Sequence, residues 1–206
     1  MEREELTRLR DETRDAWNRN ARYWDEWMAT PNDWHAVLVR PPVERLLAVK
    51  PGETVLDIGT GNGLFSRRLA ELGARVVAID VSDQLIELAK ARNGHDAIEY
   101  RVVDATDEES LLALGEGRFD AAVSTMVLMD MPALEPLARS LPRLLRAGGR
   151  FVFASAHPCF NTTGISLAAE QEDRDGEIVI HRSVKVREYL HLTPKKGAAL
   201  AGQPVP

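Results

Sequence analysis

The chain has 206 residues, 44% hydrophobic and 28% charged, with a formal net charge of −6 and a single cysteine. That length suits one domain, since cores grow to roughly 100 to 200 residues before dividing, and the balance is that of a globular protein and not of a disordered or fibrous one. The acidic charge disfavours a broad grip on nucleic acid; one cysteine excludes an internal disulfide and fits a reducing compartment; and with no apolar run near the roughly 20 residues of a membrane span, nor a signal-peptide core in MEREELTRLR, the expected location is the cytoplasm.

From residue 2 to residue 28, Leu6, Leu9, Trp17, Trp24 and Met28 recur at helical spacing among charges, with Ala16, Ala21 and Trp27 widening the stripe. This predicts an amphipathic helix, interrupted at Pro31 and Asn32. A second short helix should follow Pro41 and Pro42 and bury Val43, Leu46 and Leu47. Strict alternation comes next: strand over 54–58, helix over 64–72, strand over 75–79, helix over 83–92 and strand over 98–103. Strand then helix, repeated, predicts a parallel sheet with right-handed crossovers. Ser82 suits a helix N-cap, and Gly73 and Gly94 stand where helices stop.

A short helix over 108–114 leads to a strand over 119–125 and a helix over 134–145, which Pro142 should kink or shorten. After Gly148-Gly149 a fifth strand runs over 150–156. Beyond Phe160 the pattern fades; residues 177–186 can be extended, and the tail KKGAALAGQPVP has no core-building periodicity. No internal repeat is visible. The expected architecture is α/β, a Rossmann-like, doubly wound, mostly parallel sheet with an N-terminal helical extension.

In such sheets ligands sit beyond the carboxyl ends of the strands, which is where VLDIGTGNG places Gly59, Gly61 and Gly63. Glycine lets the backbone take positive φ and approach a ligand closely. A dinucleotide turn runs G-x-G-x-x-G, but its third position here is Leu64, and the spacing is G-x-G-x-G. Asp57, just before, suits a ligand carrying an ammonium group better than a pyrophosphate. No Gly-Lys-Ser/Thr follows, so a P-loop fails too.

The ordered set VLDIGTGNG, VVAIDVS, VVDATD, FDAAVSTMVLMD and LLRAGGRFVFAS, over roughly residues 40 to 160, resembles the class I S-adenosylmethionine-dependent methyltransferases, in style the small-molecule enzymes of the ubiquinone and menaquinone type. The resemblance implies S-adenosylmethionine as cofactor, S-adenosylhomocysteine as product and a small-molecule methyl acceptor. It implies that Gly59, Gly61 and Gly63 pack against the methionine and ribose part, that Asp57 orients the amino group directly or through water, and that Asp80 accepts both ribose hydroxyls. Val81 would lie against the adenine, Asp104 and Ala105 would address its edge, and Ser124, Thr125 and Met126 would line the cleft near the sulfonium. Gly61 and Gly63 are otherwise ordinary turn glycines, and Asp104 otherwise a loop carboxylate or cap. An NAD(P)-linked oxidoreductase and a non-catalytic binder of the same cofactor are the alternative functions; a dinucleotide site would also put an acid at Asp80.

Methyl transfer is an in-line displacement, so alignment and exclusion of water carry much of it and no catalytic triad is required. Three groups are candidate bases: His157 just past the fifth strand, His35 in NDWH, and Asp130 after the fourth strand. Each has a plainer alternative, packing for the histidines and a helix cap for Asp130. Tyr23, Trp24, Trp27 and Trp34 concentrate aromatics before the core, so that residues 1–40 would form a lid to which Tyr23 or Trp24 contributes, or simply an amphipathic packing face. An aromatic face could attract the sulfonium. Pro158-Cys159 resembles the nucleophile of cytosine C5 methyltransferases but lacks basic surroundings, and Cys159 is read as packing. No Asn-Pro-Pro-aromatic segment follows the fourth strand, which disfavours amino-methylation of DNA bases. His157, Cys159, His181 and His191 lack a compact metal spacing, so no metal is expected. Residues 41–160 are then the cofactor-binding core and 161–206 a substrate-side segment or truncated tail. The last two strands of that family's fold are expected to be absent, leaving an unpaired sheet edge.

Overall fold

The long polar and apolar stripe at the start of the chain folds as one helix, α1 (Arg3–Ala29), in the computed structural model, which describes residues 3–29, 33–157, 165–186, 197–198 and 200–206. Pro31 and Asn32, expected to interrupt that helix, lie outside the described residues, as do Pro158, Cys159, Phe160 and His191. A π-helical segment, Trp34–Val39, then runs into α2 (Arg40–Leu47), with the Arg40 amide bonded to the His35 carbonyl. Pro41 and Pro42 fall in the first turn of α2, where a missing amide costs nothing. Val39, Val43 and Leu47 form its buried line. Leu46, expected inside, is 63% exposed, because it falls past the edge of that i, i+4 line.

The alternating pattern builds β1 (Thr54–Ile58), α3 (Leu64–Glu71), β2 (Arg75–Asp80), α4 (Asp83–Asn93), β3 (Ile98–Val102), α5 (Glu108–Leu112), β4 (Phe119–Thr125), α6 (Glu135–Leu144) and β5 (Leu145–Ala154). The five strands make one parallel sheet in the order β3-β2-β1-β4-β5. Successive residues of the central strands enter different cores: Val55, Val76, Ala78 and Val123 pack with Phe65 and Leu69 on one face, Leu56, Ile58, Val77 and Ile79 with Leu111 and Leu137 on the other. Burial on both faces is why these strands read as continuous apolar runs. Ser82 caps α4 through its Oγ, which accepts from the Leu85 amide at 3.1 Å. Gly73 follows α3 at positive φ, whereas Gly94 ends α4 at φ −56° and so stops it without a left-handed residue.

Pro142 stands in the last turn of α6, which ends two residues later. The fifth strand starts at Leu145, earlier than the glycine pair suggested, and its pairing jumps from Phe119↔Leu145 to Ala121↔Arg150. Gly148-Gly149 therefore sits in a bulge within the strand and not in a turn before it. Among the described residues β5 pairs with β4 alone.

Residues 155–196 form a second unit, while 197–206 belong with the first. The second unit contains an antiparallel hairpin, β6 (Ile165–Arg174) and β7 (Glu177–Val186), closed by the two-residue turn Asp175-Gly176. Only the second of these strands was expected. Within the hairpin, Leu167 faces Val184 and Ile180 faces Gln171, on the side opposite Glu170, Glu172 and His181.

Candidate functional site

Where β1 ends, the chain must pass over the tip of β2. It does so with Gly59 at φ +71° and Gly61 at φ +57°, a conformation that disfavours side chains. The amides of Gly59 and Thr60 both bond the Ile79 carbonyl, at 2.8 and 2.9 Å, so the turn is tied to β2. A Cβ on Gly59 would run into Val127, while one on Gly61 would point at Trp24, 3.4 Å from its Nε1. Gly63 serves packing: a Cβ there would strike the Tyr100 hydroxyl.

Asp80 closes β2 and is fixed from two sides. Its Oδ2 accepts the Gly61 amide at 2.9 Å and its Oδ1 the Ser82 amide at 2.9 Å. Burial pushes its carboxyl up, and the amide bonds pull it back. Beneath the turn lies Asp57, 1% exposed. Its Oδ2 accepts from Ser66 Oγ at 2.6 Å and Thr60 Oγ1 at 3.0 Å. Desolvation dominates there and raises the carboxyl to about 6 despite both bonds.

Above these groups opens a cavity of about 1060 Å³, counting the space at its mouth. Its floor is Gly59 to Asn62 with Asp80 and Val81; one side is Asp104, Ala105 and Thr106; the other is Thr125, Met126, Val127, Asp130 and Met131. The roof comes from Arg10, Trp17, Trp24 and Met28 of α1 and from Trp34 and His35. Trp17 and Trp24 meet edge to face at 5.5 Å. Polar ties hold α1 in place: Arg10 donates to Thr106 Oγ1 at 2.8 Å and to the Thr106 carbonyl, Ser82 Oγ donates to Asn18 at 2.6 Å, and Arg92 grips the buried Asp25 through two bonds of 2.7 Å. Asn62 in the turn also donates to Asp25, at 3.2 Å.

The structure thus gathers Gly59, Gly61, Asp80, Val81, Asp104, Ala105, Thr125, Met126, His35 and Asp130 around one space. Asp57, Gly63, Ser124 and Tyr23 stand behind its wall. Ser124 is fully buried, its Oγ without a partner among the described residues. Tyr23 was expected over the cofactor; instead its hydroxyl donates to the Ala201 carbonyl, holding the tail of the chain. His157 belongs to the second unit and is exposed there. Asp104 accepts from the amide and the hydroxyl of Thr106, so it both braces its own loop and lines the cavity. Asp130 does not cap α6, whose N-cap residue is Leu134. Its carboxyl is pushed up to about 6 by burial, and His35 is pulled down by burial and by Arg40, against a smaller opposite pull from Glu44.

Sequence reasoning missed Arg10, Thr60, Asn62 and Thr106. Thr60 and Asn62 lie inside the quoted turn and were open to notice. Arg10 meets Thr106 across 96 positions of sequence, a contact no local pattern signals. Among the described residues no group of three metal-ligating side chains occurs.

Residues 56–153 match the family model described as a methyltransferase domain. A ubiquinone biosynthesis O-methyltransferase of Xanthomonas oryzae pv. oryzae is 35% identical over 106 residues, 50% of this chain and 43% of that protein. The N-demethylindolmycin N-methyltransferase of Streptomyces griseus is 31% identical over 137 residues, 62% of this chain and 56% of that one. The chain thus spans about half the length of these curated relatives. A solved structure of an S-adenosylmethionine-dependent methyltransferase from Mesorhizobium loti superposes with a TM-score of 0.59 at 27% identity, covering 73% of this chain and 64% of that one. Strand order, glycine turn and family match agree: over residues 56–153 the chain is similar to methyltransferase domains, and its fold to that of a solved S-adenosylmethionine-dependent methyltransferase.

Proposed function

We propose that the protein transfers a methyl group from S-adenosylmethionine to a small-molecule acceptor and releases S-adenosylhomocysteine. The observation that carries this reading is Asp80, held between the Gly61 and Ser82 amides on the floor of an aromatic-roofed cavity. Each of its oxygens keeps accepting capacity for a ribose hydroxyl. The other residues present fit the same group. Gly59 and Gly61 leave bare backbone for its amino-acid part, Val81 offers an apolar surface to the adenine, Asp104 and Ala105 meet the adenine edge, and Thr125 and Met126 lie towards the sulfonium. Asp57 acts from below, by bracing Thr60 and so the turn.

When bound, the cofactor supplies an electrophilic methyl carbon. The chain's own part is to align the acceptor, exclude water beneath α1 and take up a proton. His35 and Asp130 share the cavity and are the candidate proton acceptors. Residues 1–40 serve as its lid. The relatives' names, an O- and an N-methyltransferase, support a small acceptor without fixing its atom. Among the described residues no helix is long and apolar enough to cross a membrane; the lone cysteine supports a cytoplasmic site of action.

Calorimetric titration with S-adenosylhomocysteine, and separately with NADH, tests the reading. We expect the former to bind and Asp80→Ala to weaken it by roughly tenfold or more, the loss of a charge-assisted hydrogen bond. Binding of NADH alone would overturn the proposal in favour of a dehydrogenase.

A further inference from the structure

Asp130 ends the 3₁₀ turn Leu128–Asp130 that follows β4, and its side chain lines the cavity with Met126, Val127 and Met131. Among the described residues its carboxylate has no hydrogen bond and no ion pair; only its backbone amide is engaged, with the Val127 carbonyl at 2.8 Å. Every other charged side chain on the wall is occupied. Arg10 is bound to Thr106 and lies 3.8 Å from Asp104, Asp104 holds Thr106, and Asp80 holds Gly61 and Ser82. A carboxylate in an apolar cavity without a counter-ion is costly unless a ligand brings one.

Resting on the methyltransferase reading, we propose that the acceptor is a protonatable amine on an apolar, ring-sized body, with Asp130 as counter-ion to its ammonium and acceptor of the proton it must lose. Three tryptophans in the roof, Trp17, Trp24 and Trp34, suit both halves of such a molecule, since aromatic rings pack against rings and attract cations. Acceptors bearing a carboxylate or phosphate find no free cation on the wall: Arg10 is engaged, and burial and Arg40 pull His35 below its ordinary value, which disfavours its charged form. The raised carboxyl of Asp130 fits the same role, standing closer to an amine's pKa than an exposed aspartate would.

The reaction balances. The ammonium gives one proton to Asp130, and the freed nitrogen lone pair forms the N–C bond. The methyl's C–S bond breaks with its electron pair left on sulfur, yielding S-adenosylhomocysteine and the methylated ammonium. Asp130 then releases its proton to solvent. Desolvation of the ammonium lowers its own pKa and favours the first transfer.

The full-length protein saturated with S-adenosylhomocysteine is titrated by calorimetry with phenethylamine, 2-phenylethanol and 3-phenylpropionate, three probes of one ring and different head groups. We expect the amine to bind about ten- to a hundredfold more tightly than the alcohol, the range for a hydrogen bond to a charged partner, with the carboxylate weakest. Asp130→Asn should bring the amine down to the alcohol's level while leaving S-adenosylhomocysteine affinity within about twofold. The amine's advantage should also fade below pH 6 in the unaltered protein, where Asp130 takes up its proton; Arg10, His35, Asp80 and Asp104 are the other ionisable groups facing the cavity and are unchanged in the variant. An amine that binds no better than the alcohol, or an advantage that survives Asp130→Asn, overturns the proposal. Failure of S-adenosylhomocysteine to bind at all overturns the underlying methyltransferase reading, and this inference with it.

Discussion

Asp57 shows how the site's demands fall on single residues. It braces the glycine turn through Thr60 and Ser66, yet burial lifts its carboxyl from 3.8 to about 6. A carboxyl raised in the folded state binds its proton more tightly there than in the unfolded chain. The stability it contributes is thus complete below its ordinary value and lost as pH rises through about 6. Asp57→Asn, which carries no charge at any pH, should match the unaltered protein near pH 4 and exceed it above pH 7. The lift from 3.8 to about 6 sets the limit at about 3 kcal/mol. Thermal melts of both proteins from pH 4 to 8 check this; an offset independent of pH would refute it. The two turn glycines make a contrasting pair. Gly59→Ala meets both a left-handed backbone, worth roughly 1–2 kcal/mol, and Val127, so it should lower the melting temperature markedly. Gly61→Ala meets only the first cost, but its methyl enters the cavity towards Trp24, so its larger effect should be on S-adenosylhomocysteine affinity. These glycines and Asp80 were legible because backbone sterics and strand ends are local properties. The position of Tyr23 was not, because its partner lies 178 residues away.

Helix α1 supplies much of the cavity's roof. Its ties to the core are polar: Arg10 at one end, Asn18 in the middle, and Asp25 towards the other. Asp25→Ala would release the exposed Arg92 to water and take from the buried Asn62 the acceptor that fixes the turn's side chain. We expect a loss of about 1–3 kcal/mol and faster hydrogen exchange in α1, with β1 and β4 unchanged. Equal acceleration in the sheet would show that α1 is integral to the core. Apart from the start of β5, five residues earlier than expected, strand and helix boundaries in the sheet region were readable to within a residue or two, since doubly buried strands print continuous apolar runs and Ser82 and Gly73 mark helix ends. Three features escaped for physical reasons. A π-helical turn leaves no periodicity over six residues, and it is this turn that carries His35 to the cavity. Gly148-Gly149 signals a turn and a bulge equally well. In β6 the run EQEDR breaks the apolar alternation that would have announced it.

At the scale of the molecule the two units differ in what holds them. The five-stranded sheet has a core on each face, whereas the hairpin of β6 and β7 leaves Leu167 85% exposed and Ile178 and Ile180 more than half so. Two strands without a packed face are marginal in water. Hydrogen exchange read by mass spectrometry should find the amides of β6 and β7 protected orders of magnitude less than those of β1, β2 and β4; equal protection would mean that something covers the hairpin in solution. The fold class was plain from the sequence because strand–helix alternation admits few topologies. The sequence set off a segment after residue 160, near the break after Ala154, but gave no sign that residues 197–206 belong with the first unit. There Asn20 exchanges two hydrogen bonds with Val205, and Tyr23 holds Ala201. Both anchors lie on α1, the helix that roofs the cavity. A substitution at Ala201 or Val205 therefore reaches the roof of a cavity that neither residue lines, so this stretch is a remote handle on the cavity's shape.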